Sequence, residues 1–403
     1  MALSDASLAL LDEARNLQPS TIRLRRELHR NPEQGLTLPD TQAAVLRALS
    51  DLPLRVHTGE STTSVVAVLE GSRPGPTVLL RGDMDALPLQ EDTGLDFSSK
   101  VDGAMHACGH DTHVAMLASA ARLLSARRDE LAGRVLLMFQ PGEEGYHGAR
   151  YMIDEGLLDP AGPAGTPERA LAIHITSTLR SGLVTCRPGS IMASSDVLEV
   201  TITGRGGHAS APHDALDPVP AAAAIVGALQ TMVTRRTSVF DPVVVTIAHI
   251  VAGTTSNIIP ETAYLQGTIR TLSESARATV HAEIRKICEH VAAGYGCTAD
   301  VDVVLGYPVT VNDDRMAPHV LDLAGDLLGA EHTEPMDDPI MGSEDFSYVL
   351  QRIPGAMAFL GASPVGVEPG TAPANHSNRV TFDEDAMVHG VAMYTRFAMD
   401  ALS

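Results

Sequence analysis

Apolar and polar positions follow two different periods along this chain, and the changes between them predict its helices and strands. Helical spacing runs through 7–50, where Pro and Gly interrupt it at 31–35, and through the Ala- and Leu-rich residues 114–128. Runs of β-branched and apolar residues bounded by Gly or Pro predict strands at 62–70, 77–80, 134–140 and 170–173. Because strands alternate with helices, we expect an α/β fold with a mainly parallel sheet and helices on both faces.

The pattern changes near residue 190. It predicts, in order, a strand at 196–203, a flexible turn at 204–208, a helix at 217–236, strands at 243–250 and 263–271, a helix at 273–293 and a segment at 300–305 that leads back to the first domain. This α+β unit of roughly 110 residues is small enough to be an inserted domain. We therefore expect one domain formed by 1–189 and 306–403 and a smaller inserted domain formed by 190–305, with the first domain completed by elements at 314–328, 356–360 and 383–399.

Length, composition and charge narrow the class of protein. The 403 residues exceed one ordinary core, and 44% hydrophobic and 20% charged residues are typical of a globular protein. No run approaches the roughly 18 apolar residues of a membrane span. A net charge of -21 argues against nucleic acid or an anionic membrane surface as a partner, and a small anionic substrate would need a local Arg.

Cysteine usage and the amino-terminal segment bear on the compartment. The four cysteines are widely spaced, which fits reduced thiols better than a disulfide framework. The first 18 residues form an acidic amphipathic pattern without the basic region of a secretory signal. We expect a cytoplasmic protein.

One stretch of nine residues, Met105 to His113, carries a thiol, three imidazoles and a carboxylate. Cys sulfur and neutral His nitrogen suit zinc and neighbouring first-row ions, and Gly109 lets Cys108 and His110 face one ion. A buried Cys beside hydrogen-bonded His residues would also account for the stretch without any metal.

Further donor residues follow the predicted strands, and this favours the metal interpretation. Because the carboxyl ends of parallel strands meet at one edge of a sheet, we expect these side chains to gather there. They are Asp83 and Asp85 after 77–80, Glu143 and Glu144 after 134–140, and His174 after 170–173.

Seven strings, in order, resemble the zinc-type metallopeptidase family of aminoacylases and carboxypeptidase G. The similarity covers nearly the whole chain and is greatest to the amidohydrolase branch, which includes hippurate hydrolases and indoleacetyl-amino-acid hydrolases. The strings are 81–88, 105–113, 139–145, 204–210, 255–260, 341–347 and His376.

The resemblance implies a two-metal catalytic domain and a lid or dimerisation domain inserted into it. It places two divalent ions per subunit, with zinc, manganese, nickel and cobalt left open, on five ligands. These ligands are Cys108, His110, Glu144, His174 and His376.

The resemblance also implies the chemical roles of residues that do not bind metal. Glu143 is the general base, and Asp85 orients a ligand His or the thiolate loop. His208 and Asn257 stabilise the oxyanion, while Arg270 holds a substrate carboxylate. Taken alone, His208 is also compatible with an exposed turn residue and Arg270 with a solvated strand end.

Several neighbouring positions stay open or favour a simpler interpretation. The role of Asp83 is left open, and His113 is expected to support a ligand. The residues from Arg25 to His29 are typical of a charged helix end. Where the amidohydrolase branch runs several glycines after its Glu-Glu pair, this chain has Tyr146 and His147 before Gly148, which puts the acyl group that it accepts in doubt.

The resemblance implies a metal-dependent amidohydrolase that cleaves the amide of an N-acyl amino acid, such as an N-acetyl or N-benzoyl derivative. A dipeptidase or carboxypeptidase of the same family is the nearest alternative, and an acidic subsite for a free ammonium group would favour it. An inactive metal-binding interaction module is the alternative outside enzymes. The expected partners are a small N-acyl amino acid or peptide-like substrate and a second copy bound through 190–305.

Overall fold

The computed structural model describes residues 3–403, so the first two residues of the predicted first domain lie outside it. The amino-terminal part contains α1 (Asp5–Arg30), α2 (Pro39–Leu49), β1 (Leu54–Thr58), β2 (Val65–Glu70), β3 (Arg73–Asp83), α3 (His110–Ala126), β4 (Ala132–Gln140), α4 (Gly148–Asp154), β5 (Arg169–Thr176), β6 (Val184–Cys186) and β7 (Gly189–Met192). The middle part contains β8 (Asp196–Thr203), β9 (Gly207–His208), α5 (Pro218–Arg236), β10 (Val243–Ala252), β11 (Ile258–Ile259), β12 (Thr262–Thr271), α6 (Glu274–Gly294) and β13 (Thr298–Leu305). The last part contains β14 (Thr310–Asn312), α7 (Met316–Leu328), β15 (Thr333–Pro335), α8 (Ser347–Leu350), β16 (Gly355–Gly361) and α9 (Met387–Ala401).

The predicted long helices and strands are confirmed, with shifts at their ends. The helix predicted from residue 114 begins at His110, so it includes two histidines of the central stretch. The final helix, predicted from residue 383, begins at Met387 after a short 3-10 turn. Short elements such as β1, β6 and α4 were not predicted, because a few residues are too short to establish a period.

The largest sheet has the strand order β1-β2-β4-β3-β5-β16-β6-β15. Its four central strands, β4, β3, β5 and β16, are mutually parallel, and β2 and β6 pair antiparallel on either side of them. This mainly parallel sheet with its packed helices confirms the predicted α/β fold class. Since β3, β4 and β5 run in one direction, the residues that follow them emerge at a single edge.

The central strands are buried on both faces. Leu80 and Leu137 point into the hydrophobic cluster that α1, α3 and α9 complete. Leu79 and Leu136 point the opposite way and are equally inaccessible. Strands buried on both sides leave their ends as the places where polar groups can collect. Among residues 3–403, no helix combines the length and apolarity needed to cross a bilayer.

The chain divides into two compact units. One contains the residues up to Ile191 together with Val311–Asp338 and Tyr348–Ser403, and the other contains Met192–Thr310 and Pro339–Ser347. The predicted first domain, 1–189 and 306–403, therefore differs from the first unit in three places. Residues 190 and 191 group with the first unit. Residues 306–310 and 339–347 group with the inserted unit instead.

Backbone hydrogen bonds explain why the segment 339–347 groups with the inserted unit. The Ala193 N–H donates to the carbonyl oxygens of Ile340 and Gly342 at 3.0 and 2.9 Å. The Thr310 hydroxyl donates to the Glu344 carbonyl at 3.2 Å. These contacts join residues far apart in the sequence, so local patterns could not predict them.

The inserted unit is built on an antiparallel sheet of strand order β10-β12-β8-β13. Its apolar face carries Leu198, Val200 and Ile202 from β8, which pack in one cluster with residues of α5 and α6. Proline at the start of α5 and the Ser273 side chain, which accepts the Ala276 N–H at 3.0 Å, fix where these helices begin.

The two ends of the insertion are neighbours in that sheet. Asp196, the first residue of β8, pairs with Leu305, the last residue of β13. The buried Asp196 carboxylate accepts hydrogen bonds from Arg277 at 2.6 and 2.9 Å, His281 at 2.8 Å and the Gly306 N–H at 3.0 Å. Although burial raises it, the bonds from His281 and Arg277 lower the pKa of Asp196 to about 2.

Candidate metal centre

The candidate ligands lie at the carboxyl-terminal ends of the parallel strands in the large sheet. Glu144 follows β4 and His174 lies near the end of β5, while His110 is the first residue of α3. Between Cys108 and His110, Gly109 has a φ of 90°, and a Cβ there would approach the Ile175 side chain to 2.4 Å. Glycine is therefore required for Cys108 and His110 to turn toward the same point.

Two sets of donor atoms share the Cys108 sulfur. Cys108, His110 and His174 form one set, and Cys108, Glu144 and His376 form the other, with the atoms of each set within 4.8 Å of one another. A thiolate can bridge two ions, and imidazole and carboxylate donors can complete both sites. The structure thus brings together all five residues that the sequence indicated as ligands.

Backbone carbonyls orient two of the imidazoles. The His110 Nδ1 lies 2.8 Å from the Asp85 carbonyl, and the His174 Nδ1 lies 2.7 Å from the Ile175 carbonyl. A carbonyl oxygen only accepts, so each Nδ1 carries a proton and Nε2 is the nitrogen left to bind an ion. This is the tautomer that a metal-binding imidazole requires at Nε2.

His376 reaches the cluster from a loop near the carboxyl terminus. Its Nε2 lies 3.3 Å from the Cys108 sulfur and 3.4 Å from Glu144 Oε1. The Asn375 amide holds the loop by donating to the carbonyl oxygens of Cys108 and Ile175 at 2.9 and 3.0 Å. The φ of His376 is 70°, a left-handed conformation that few non-glycine residues adopt.

The electrostatics of the cluster favour a cation. Hydrogen bonding to Cys108 and Glu144 raises the pKa of His376 to about 10. Burial alone would lower the pKa of His110, but Asp83 and Cys108 raise it well above its ordinary value. A divalent ion carries two positive charges, so it neutralises Cys108 and Glu144 more fully than a single proton on an imidazole does.

Two buried donor atoms also fit a metal. The His110 Nε2 and the Glu144 Oε1 are inaccessible to solvent and have only long polar contacts, 3.3 Å from Nε2 to Asp83 and 3.4 Å from Oε1 to His376. Buried polar atoms of this kind are uncommon because they lose water without gaining a partner. Metal ligation would satisfy both, so the donor set fits the divalent ions that the sequence implied.

Asp85 holds the loop that follows β4. Its two carboxylate oxygens accept the backbone N–H groups of Glu143 and Glu144, each at 2.9 Å. We expected this residue to orient a ligand His or the thiolate loop, and its carbonyl does contact His110. The contact of its carboxylate with residues 141–148, here called the glutamate loop, was not predicted. Glu143 and Glu144 lie 58 and 59 positions from Asp85 in the sequence.

Asp83 and His113 form a buried pair beside the donor cluster. The His113 Nε2 accepts the Ile175 N–H at 2.8 Å, so Nδ1 carries the proton and donates to Asp83 at 2.5 Å. Arg81 donates to the other Asp83 oxygen at 2.6 Å. Both nitrogens of His113 are therefore engaged by protein atoms, which disfavours it as a ligand.

The charged end of α1 is buried, which the sequence did not indicate. Arg25 and His29 are each only 1% exposed, and both contact the Asp111 carboxylate, in an ion pair and a hydrogen bond of 2.8 Å. Although burial lowers it, Asp111 and Glu91 raise the pKa of His29 above its ordinary value. Because Asp111 follows the candidate ligand His110, this buried network anchors the start of α3 to α1.

His208 lies on β9, and Asn257 directly precedes β11, the strand paired with β9. The Ser210 N–H donates to the His208 Nδ1 at 3.1 Å, so the ring proton is on Nε2. The Asn257 carbonyl accepts the Ala209 N–H at 3.1 Å, and its side-chain oxygen accepts from Thr255 at 3.0 Å. Each residue is left with a side-chain N–H to donate.

Arg270 lies on β12 of the inserted unit and is half-buried. Burial lowers its pKa from the ordinary value, although Asp196 raises it in part. Its Nη1 atom is inaccessible and makes no hydrogen bond within residues 3–403. A guanidinium with such an unmatched nitrogen has capacity for a carboxylate.

Comparisons with known proteins found similarity over most of the chain. A family model described as peptidase family M20/M25/M40 matches residues 79–400. Thermostable carboxypeptidase 1 of Saccharolobus solfataricus is 38% identical over 394 residues, which are 97% of each chain. N-acetylcysteine deacetylase of Bacillus subtilis is 36% identical over 94% of this chain and 96% of that protein.

A solved structure is similar over almost the whole fold. The Bacillus subtilis YXEP protein, described as a dinuclear metal-binding peptidase of the M20 family, has a TM-score of 0.83 and 32% identity, covering 96% of this chain and 98% of that one. The family model covers most of this sequence, and these relatives span nearly all of it. The chain therefore belongs to the M20/M25/M40 peptidase family.

Proposed function

We propose that this protein is a metal-dependent amidohydrolase that cleaves the amide bond of N-acyl amino acids. The observation that carries the proposal is the pair of donor sets sharing the buried Cys108, with the Glu143 carboxyl next to them. The relative named N-acetylcysteine deacetylase supports an N-acyl amino acid as the substrate. Family membership supports hydrolysis of an amide as the reaction.

Two divalent ions would be held by the five residues of the donor cluster, one by His110 and His174, the other by Glu144 and His376, with Cys108 shared. We propose zinc, manganese, nickel or cobalt, which suit thiolate and imidazole donors. When bound, such ions polarise a carbonyl oxygen and lower the pKa of water.

Glu143 moves the proton in the proposed reaction. Its carboxylate takes a proton from the attacking water and passes it to the nitrogen of the leaving amine. Asp85 holds the successive backbone N–H groups of Glu143 and Glu144, so the base and its metal-binding neighbour keep separate directions. A base of this kind contributes roughly 10²- to 10⁴-fold in rate.

Three residues of the inserted unit complete the proposal. His208 donates its Nε2–H to the developing oxyanion, and the Asn257 amide assists it. The Ser210 contact supports this role because it leaves the ring proton on Nε2. Arg270 binds the substrate carboxylate, and its unmatched Nη1 supports that assignment.

A carboxypeptidase is the second candidate, and the 38% identity to thermostable carboxypeptidase 1 favours it. Both reactions release an amino acid with a free carboxylate, so Arg270 serves either. The substrates differ on the acyl side, where a dipeptide carries an ammonium group that needs a carboxylate partner.

We also propose that the protein is cytoplasmic and forms a homodimer through 190–305. All four cysteines are unpaired and buried, as expected of reduced thiols. β10 is an edge strand of its sheet and exposes Ile250 and Val251 by 54% and 50%. An apolar edge strand favours pairing with a second copy.

A substrate panel tests the proposed activity. We expect mass spectrometry to detect hydrolysis of N-acetyl, N-benzoyl or indoleacetyl amino acids, and a chelator to abolish it until divalent metal is restored. Turnover of dipeptides alone would favour the carboxypeptidase, and failure to hydrolyse any amide in the metal-loaded form would contradict both.

The two adjacent glutamates should respond differently to substitution. We expect Glu143→Gln to reduce kcat by about 10²-fold or more while metal content stays near wild type, because Glu143 is the base. Glu144→Gln should lose metal. Metal analysis of both purified variants decides the assignment, and the opposite pattern would reverse it.

Cys108 should be protected from alkylation by metal, because coordination removes the thiolate from reaction. After chelation we expect labelling by iodoacetamide to accelerate and to rise with pH, since burial and Glu144 raise the pKa of this thiol. Cys186 and Cys288 are buried outside the site and serve as internal controls in peptide mapping. Equal Cys108 labelling with and without metal would argue against ligation.

A mixing experiment tests whether His208 acts in trans across the proposed dimer. Inactive Glu143→Ala and His208→Ala chains, refolded together in equal amounts, form about half mixed dimers, so about a quarter of all sites should be intact. We expect that fraction of the activity of wild type refolded in parallel. Mixed dimers confirmed by mass but inactive would exclude action in trans.

A further inference from the structure

The loop after the two glutamates ends in a strained residue. His147 has φ 60° and ψ 36°, in the left-handed region that glycine adopts freely. Among residues 3–403, His147 and the candidate ligand His376 are the two non-glycine residues with positive φ. Strain of this kind persists only where surrounding contacts fix the residue, and it collects at functional sites.

The side chain of His147 makes a specific contact. Its Nδ1 is hydrogen-bonded to the Tyr348 hydroxyl at 2.9 Å, and both side chains are partly buried. Tyr348 lies on α8, more than 200 residues away in the sequence. A glycine at position 147 would relieve the backbone but could not make this bond.

The contact closes the far end of the glutamate loop. Asp85 holds the near end through the N–H groups of Glu143 and Glu144. The Gly148 N–H donates to the Gly142 carbonyl at 3.0 Å, so the loop returns on itself next to His147. A Cβ at Gly148 would lie 1.6 Å from the Pro141 carbonyl oxygen, which leaves the loop little room to adjust.

We propose that the hydrogen bond between His147 and Tyr348 positions Glu143 for proton transfer, an inference that rests on the proposed function. Neither residue is assigned contact with the reacting atoms, so both act as positioning residues through the loop. Proton transfer depends steeply on the placement of the base, and a small displacement of Glu143 lowers the rate without altering substrate affinity.

Tyr348→Phe is the primary test, because it removes one hydroxyl and leaves the loop sequence unchanged. We expect kcat to fall about 3- to 10-fold, the loss that one hydrogen bond can cause, with KM within twofold and metal content unchanged. Tyr151→Phe makes the same chemical change on the exposed face of nearby α4 and should match wild type. Equal kcat for the two variants would overturn the proposal.

Substitutions of His147 separate positioning from a merely structural role. His147→Gly should lower kcat while leaving Tm unchanged or higher, because it relieves the left-handed strain as it removes the bond. His147→Asn should restore kcat, since Asn tolerates this conformation and places an amide atom where Nδ1 stands. A Gly variant with wild-type kcat, or an Asn variant no better than Gly, would contradict the positioning role.

Deuterium exchange of the metal-loaded full chain gives a readout that needs no substrate. We expect faster exchange of peptides covering 141–148 in Tyr348→Phe than in wild type or Tyr151→Phe. If wild type hydrolyses no N-acyl amino acid, the proposed function fails and the exchange result alone decides whether the bond fixes the loop. Unchanged exchange in Tyr348→Phe would show that the hydrogen bond does not fix the loop.

Discussion

Negative charge concentrated in a largely buried cluster is the constraint on which the rest of this structure depends. The Cys108 sulfur and the Glu144 carboxylate are brought within reach of three imidazoles, of which His110 and His174 are buried and His376 is open to solvent. Burying such groups without a countercharge costs several kcal/mol, and a bound cation offsets that cost. Metal binding is therefore coupled to the stability of the folded chain, in the way that any ligand selective for the native state is.

Rigid support around the cluster follows from that constraint. Carbonyl oxygens fix the rings of His110 and His174, the Asp85 carboxylate fixes the glutamate backbone, and Asp111 anchors the start of α3 to α1. Each support uses a group that is itself buried and bonded, so an error of placement in one would propagate to its neighbours. The positions of the donor side chains are consequently determined by elements that are distant in the sequence.

Local patterns and chemistry predicted the fold class and much of the site. Cys108 and His110 share a nine-residue stretch, and His174 lies at a strand end, so the chain itself indicated that these donors gather at one place, although only the resemblance made His174 a ligand. His376 could be assigned only through the resemblance, because 268 residues separate it from Cys108. The burial of Arg25 and His29 was missed for the same reason, since their partner Asp111 lies 82 or more positions away. Pairings at that distance leave no periodic signal in one sequence.

The pairing of Asp196 with Leu305 has a consequence for how this chain could have been assembled. Paired residues in neighbouring strands lie only about 5 Å apart, so an insertion of more than a hundred residues begins and ends at almost one point. An insertion whose ends lie this close adds little loop-closure entropy to the chain around it. Gain or exchange of this module would also require a matching segment at 339–347, because that segment groups with the inserted unit and is hydrogen-bonded to Ala193.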